Sequence, residues 1–374
     1  MNDKKYVKTK VRKSLRKLFN AQYLTCYELN RLNVLSAMVS GMIHSGQSCL
    51  EQLALSSCEG VKLESKIRQF ERFVKNRHVD VRQYYLPFIQ VLLLNLSKSG
   101  RLVFSIDGSV VGKGCICLMF SVIWRGKAIP VVWQVYRRKK GHMPEAYHRA
   151  LLKSLQELIP ADCEVVITGD GEFDGCCWQE DIVNYGWDYV LRTGKAVLLT
   201  TSNGDTFKAG SLRLAGGKDR YVEQVEFTKK RWMTNVLFWR AKGHAEGLIL
   251  LTNLDYTPQI KQLYKKRFKI EPFFGDLKSR GFRIQRSGLR DPERLDRLLL
   301  AACIAYDFCL MAGAKAYKSK FYDQIAKKDK RALSIFQLGK RFLHHLIDLR
   351  QWRSFCWIKD LTPDPPMTFN CVPF

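Results

Sequence analysis

The stretch LYKKRFKIEPFFGDLKSRGF, residues 263–282, decides how the chain is read. Its charges ride on a helical apolar rhythm, and in its middle one glutamate, Glu271, stands among lysines and arginines. At about 100° per residue, Tyr264, Arg267, Glu271 and Lys278 fall on one narrow face of a helix. A salt-bridged surface helix spaces its charges in the same way. The residues alone therefore leave two readings open: a solvated face, or a carboxylate held among cations for chemistry. Pro272 directly follows Glu271 and predicts a kink there, because proline removes a backbone hydrogen bond.

Further back in the chain, two aspartates make the chemical reading concrete. RLVFSIDGS is a short apolar run ending at Asp107 and a glycine, and CEVVITGDGEFDG is another, ending at Asp170 in a Gly-flanked loop. A carboxylate at a strand end is held on a rigid element, and the glycine beside it leaves room for a ligand. Two such residues on neighbouring strands offer the oxygen ligands that magnesium takes. Each is equally readable, by itself, as the cap of a turn. Asp174 stands next in line should Asp170 be such a cap.

Composition narrows the partner. The 62 Lys and Arg against 35 Asp and Glu give a formal charge of +27, which attracts polyanions at long range. Nucleic acid is the first candidate and an anionic membrane surface the second. No uninterrupted apolar run approaches the ~18 residues of a spanning helix, and the basic start MNDKKYVKTKVRKSLRKLF has no apolar signal core, so the expectation is a cytoplasmic protein without a membrane role. With 46% hydrophobic residues the chain is folded. Its twelve cysteines lack Cys-x-x-Cys spacing and read as buried free thiols rather than disulfides or a zinc site.

Periodicity divides the chain into four parts. Residues 1–98 carry apolar spacings of three and four and read as helical, resembling a helix-turn-helix only loosely; their many cations predict a DNA-binding domain. From 101 the order is strand, strand, strand, helix, strand, then a helix near WQEDIVNYG and the strand WDYVLR. Residues 194–253 read as all-β, and helical periodicity returns from about 256. Beyond 313 a basic linker, a helix near ALSIFQLGKRFLHHLIDLRQW and a Pro-rich end complete the chain.

The spacing Tyr264-x2-Arg267-x3-Glu271-x6-Lys278, with SIDGS and TGDGEFD upstream, resembles the YREK signature and catalytic aspartate segments of bacterial insertion-sequence transposases. These are the group typified by insertion sequence four, within the DDE superfamily. The resemblance covers roughly residues 100–310. It implies an α/β fold, with a ribonuclease-H-like mixed-sheet catalytic core at 99–193 and 254–312, interrupted by the all-β insertion at 194–253. Helical N-terminal (1–98) and C-terminal (313–374) regions flank that core. It implies that Asp107, Asp170 and Glu271 bind two Mg²⁺ ions about 4 Å apart, with Mn²⁺ as a substitute. Tyr264, Arg267 and Lys278 would contact phosphates beside the scissile bond, and Trp239, followed by Arg240 in the insertion, would stack on a base turned out of the duplex.

The implied reaction is hydrolysis at the element's end, after which the freed 3′ hydroxyl attacks a phosphodiester. Its partners are double-stranded DNA, as terminal inverted repeats and as target, and a second copy of the chain, since two ends must meet. The helix carrying Phe336, Phe342, Leu343, Leu346 and Ile347 is either a dimer contact or an internal core face. A nuclease that cuts without joining and a non-catalytic DNA-binding protein remain as alternatives. Against the latter, binding alone has no use for carboxylates among phosphates.

Overall fold

The computed structural model describes residues 3–57, 60–98, 100–138, 141–318 and 333–348. Five helices open the chain: α1 (Asp3–Leu18), α2 (Cys26–Ser45), α3 (Leu50–Ser57), α4 (Leu63–Lys75) and α5 (Val81–Ser97). Their ends follow from local chemistry. Thr25 and Glu28 form a reciprocal capping box at α2, Gly46 closes that helix at φ 63°, and Asp80 accepts the N–H groups of Arg82 and Gln83 at the start of α5.

The sheet begins with β1 (Leu102–Gly112), β2 (Cys115–Trp124) and β3 (Lys127–Arg137), followed by α6 (Glu145–Gln156), β4 (Val165–Gly169), α7 (Cys176–Asn184) and β5 (Asp188–Arg192). Next come β6 (Leu198–Thr200), β7 (Thr206–Lys208), β8 (Asp219–Phe227), β9 (Trp232–Trp239) and β10 (Leu248–Thr252). The ten strands form one sheet in the order β3-β2-β1-β4-β5-β10-β9-β8-β6-β7. In its first half β1, β4 and β5 run parallel and β2 antiparallel to β1, the ribonuclease-H-like arrangement. Strands β6 to β10 extend that same sheet past β5 rather than building a second layer. Of these, the three-residue β7 carries no periodicity long enough to read from sequence.

Alternate residues of β1 face opposite ways, as a strand requires. Leu102, Phe104 and Ile106 enter the main core, whereas Val103 enters a smaller cluster beneath α8 (Gln259–Arg267). After α9 (Ile270–Leu277) comes α10 (Pro292–Lys318), the central helix, which packs against β3 and against α2, α4 and α5. Its Pro292–Tyr317 stretch is long and apolar enough overall to cross a bilayer, although Asp307 interrupts its apolar run; 89% of the apolar window is buried inside the protein.

The last described helix, α11 (Ile335–Asp348), lies on α10. Phe336, Phe342 and Leu343 are buried in the main core, so this apolar face is internal. The side chains of Leu346 and Ile347 and the Pro-rich end lie outside the described residues. Among the described cysteines all nine are free; Cys115, Cys117, Cys176, Cys303 and Cys309 are buried, while Cys26 is exposed.

Candidate active site

Strand register brings the two aspartates level. The parallel ladder between β1 and β4 ends with Ser105 opposite Thr168, and Asp107 and Asp170 each lie two residues beyond that pair. Since side chains alternate along a strand, both carboxylates leave the sheet where β1 and β4 part. Gly108 donates its N–H to Asp107 Oδ1 at 2.8 Å, and Glu172 donates its own to Asp170 Oδ1 at 3.0 Å.

The third carboxylate arrives from the helical segment, which is not one helix. It breaks at Phe268 and Lys269, between α8 and α9, three to four residues before the kink expected at Pro272. Pro272 instead occupies the first turn of α9, where its missing N–H costs no intrahelical bond. The single shared face is thereby replaced by two short faces meeting at a corner. Ser105 Oγ donates to the carbonyl of Arg267 at 3.2 Å and fixes that corner over the sheet.

At the corner Arg267 reaches all three carboxylates. Its Nη2 donates to Glu271 Oε1 at 2.6 Å, and its Nη1 stands 4.0 Å from Asp107 Oδ2 and 4.0 Å from Asp170 Oδ2. The arginine side chain is only 8% exposed, whereas that of Glu271 is half exposed. Burial pushes the Asp107 carboxyl up to about 7, against the pull of Arg267 and with the help of neighbouring Asp170.

The other expected residues divide. Lys278 caps α9 and donates to Ser109 Oγ at 2.5 Å, which places its ammonium beside β1, two residues past Asp107. Tyr264 is fully buried in the cluster beneath α8, so its hydroxyl is not presented to solvent; burial raises its pKa. Trp239 packs against the edge of that same cluster, with Lys265 Nζ 5.4 Å above its ring. Arg240 donates to the carbonyls of His244 and Leu214, both within its own strand-rich segment. Thus Asp107, Asp170, Glu271, Arg267 and Lys278 come together, while Tyr264 takes a packing position and Trp239 and Arg240 are engaged by their own surroundings.

A cleft of about 910 Å³ opens beside these residues, lined by Asp170, Lys278, Ser109 and also by Glu172, Arg192 and Lys195. The sequence reasoning missed the last three. A signal existed for Arg192, which closes β5 next to β4 and therefore stands at the strand end where α/β sheets bind ligands.

Three carboxylates are hard oxygen donors and suit a divalent ion of the magnesium type. Among the described residues, however, no three acidic, histidine or cysteine side chains converge as a ready-made metal cage. Arg267 supplies the positive charge between them.

No curated protein sequence matches the chain. A solved structure, the piggyBac transposase synaptic complex with hairpin DNA determined by cryo-EM, is similar at 11% identity over 96% of this chain and 84% of that one, with a TM-score of 0.45. The transposase DDE domain family matches residues 104–308, more than half of the chain, from the strand that carries Asp107 to the helix that follows Glu271. Matched over more than half of its length, the chain belongs to the transposase DDE domain family.

Proposed function

We propose that this protein is a transposase of the insertion-sequence-four type, which cuts the ends of its own insertion sequence and joins them to target DNA. The observation that carries this is the reach of one buried guanidinium, that of Arg267, to Asp107, Asp170 and Glu271, beside a cleft of about 910 Å³ lined by Asp170, Lys278, Arg192 and Lys195. Binding DNA alone gives no reason to gather three carboxylates, which repel phosphates.

When bound, two Mg²⁺ ions would activate the attacking oxygen and stabilise the leaving one. Asp107, Asp170 and Glu271 would hold them, and Mn²⁺ would serve in their place. Arg267 would then exchange its carboxylate partners for a phosphate beside the scissile bond, where its planar fork makes paired bonds. Lys278, beside Ser109 of β1, would add a point charge to the same strand, and Arg192 and Lys195, which line the same cleft, would hold further phosphates. Trp239 and Arg240 would reach DNA only after leaving their present contacts.

A second basic surface supports DNA as the partner. A groove of about 640 Å³ between α1, α2 and α4 is lined by Lys8, Arg12, Arg31, Lys66 and Arg72, and none of its lining residues is acidic. Two copies of the chain would act together, since two ends must be held before joining.

Incubation of the protein with Mg²⁺ and linear DNA bearing the element's ends tests the proposal. Joined products are expected. Cut but unjoined DNA would make the protein a nuclease, and shifted but intact DNA a binding protein without catalysis.

A further inference from the structure

A fourth carboxylate, Glu172, lines the cleft two residues beyond Asp170. Its side chain is 22% exposed, and it faces a channel that, on the reading above, takes phosphates. A carboxylate there repels what the channel binds, so its value lies in what it holds. Its bonds run to the protein. Oε1 accepts the backbone N–H of Met143 at 2.9 Å, and the same oxygen stands 3.7 Å from Nε2 of His148. The latter is too long for a hydrogen bond.

His148 is fixed. It projects from α6, is 2% exposed, and is boxed by the rings of Phe173 at 4.7 Å and Trp178 at 6.0 Å. The backbone around Glu172 is tied as firmly to the aspartate. The N–H of Glu172 donates to Asp170 Oδ1, and the N–H of Phe173 donates to the Asp170 carbonyl at 3.0 Å. One residue thus joins two things: through its side chain the wall formed by Gly141, His142 and Met143, and through its backbone the orientation of the Asp170 carboxylate. Glu172 stays ionised below the usual carboxylate range, despite its burial, because His148 and the Met143 N–H favour the charge.

The geometry points to Glu172 as a positioning residue that ties the setting of Asp170 to the far wall of the cleft. A strand lying against Gly141 to Met143 presses on the acceptor of the Met143 N–H and steadies the turn that aims Asp170. The inference rests on the transposase reading for what the cleft binds, but not for the coupling itself.

The test uses the full chain with Glu172→Ala and Glu172→Gln, read by hydrogen exchange and by cleavage of end DNA. Without DNA, Glu172→Ala should exchange faster than the wild type at both 141–145 and 170–175, while Glu172→Gln, whose amide oxygen still accepts from Met143, should stay close to it. In cleavage, Glu172→Ala should lose about tenfold or more in kcat, the scale expected of a misplaced group, with DNA affinity within about twofold. Glu172→Gln should recover most of that loss. Unchanged exchange at 170–175 in Glu172→Ala overturns the coupling. So does a Glu172→Gln variant as inactive as Glu172→Ala with native exchange, which would give the carboxylate a direct chemical part. Should the wild type fail to cut DNA, the proposed function falls, yet the exchange comparison still decides the coupling.

Discussion

Arg267 Nη2 donates to Glu271 Oε1 at 2.6 Å, and the same guanidinium stands 4.0 Å from both Asp107 and Asp170. One buried cation therefore holds three carboxylates that would otherwise repel one another.

Arg267→Gln removes that charge while leaving a polar side chain. Without added metal the variant should be less stable than the wild type by about 1–3 kcal/mol, the scale of a charged hydrogen bond lost from a buried site. Magnesium should restore more stability to the variant than it adds to the wild type. Thermal unfolding with and without Mg²⁺ measures both. An equal magnesium effect in the two proteins would show that Arg267 and the ion do not share the carboxylates.

Asp107→Asn, Asp170→Asn and Glu271→Gln should each abolish cleavage of end DNA and leave binding equal or tighter, because removing negative charge beside phosphates cannot weaken attraction. Gel-shift titration beside a cleavage assay separates the two effects. Normal cutting by any one variant removes that residue from the set; Asp174, whose Oδ2 accepts from Thr193 at 2.6 Å, would then be tested in place of Asp170.

The groove between α1, α2 and α4 makes a prediction about salt. Each phosphate contact contributes a slope of about 0.9 to the dependence of log affinity on log salt. Arg31→Ala combined with Arg72→Ala should therefore flatten the slope, while Lys153→Ala, on α6, should leave it alone. The full chain is needed for this measurement. Helices α2, α4 and α5 pack against α10, so cutting after residue 98 would expose their apolar faces.

Trp239→Ala should lower the melting temperature, since the ring packs at the edge of the cluster beneath α8 and under Lys265. A loss of about 1–3 kcal/mol is the scale for a large half-buried apolar side chain. The first nick and the later strand-joining step should then slow together. Selective loss of the later step would instead restore the base-stacking role expected from sequence.

Buried Asp307 predicts a pH dependence of stability. Tyr85 Oη lies 2.8 Å from Asp307 Oδ2 and 3.0 Å from the Pro130 carbonyl, yet carries one proton. The carbonyl can only accept, so the tyrosine donates to it and a protonated Asp307 donates to the tyrosine. Burial pushes the Asp307 carboxyl up to about 8. The unfolded chain ionises this group near ~3.9. Below that pH both states carry the proton, and between there and pH 8 only the folded state does, so stability falls as pH rises and levels off above. Urea unfolding at pH 5 and pH 8 should show a smaller loss in Asp307→Asn than in the wild type. An identical loss in both would place the titration elsewhere.

The sequence by itself determined the local parts of this protein. The apolar run before TGDGEFD set β4 with Asp170 just past its end, and the spacing from Tyr264 to Lys278 placed Glu271 and Arg267 four residues apart; SIDGS gave the start of β1 but not its length, since the strand runs on past Asp107 to Gly112 in pairing with β2. These signals are carried by neighbours along the chain, four residues or fewer apart, where backbone geometry leaves few alternatives. The tertiary structure decided the rest. That α8 ends at Arg267, that Tyr264 faces Val103 and Val166 instead of a phosphate, and that Glu172 meets His148 all depend on the sheet's register and on contacts such as Ser105 with Arg267, 162 residues away in sequence. No periodicity encodes a contact at that distance. It exists only once the sheet has closed and α8 has settled across it.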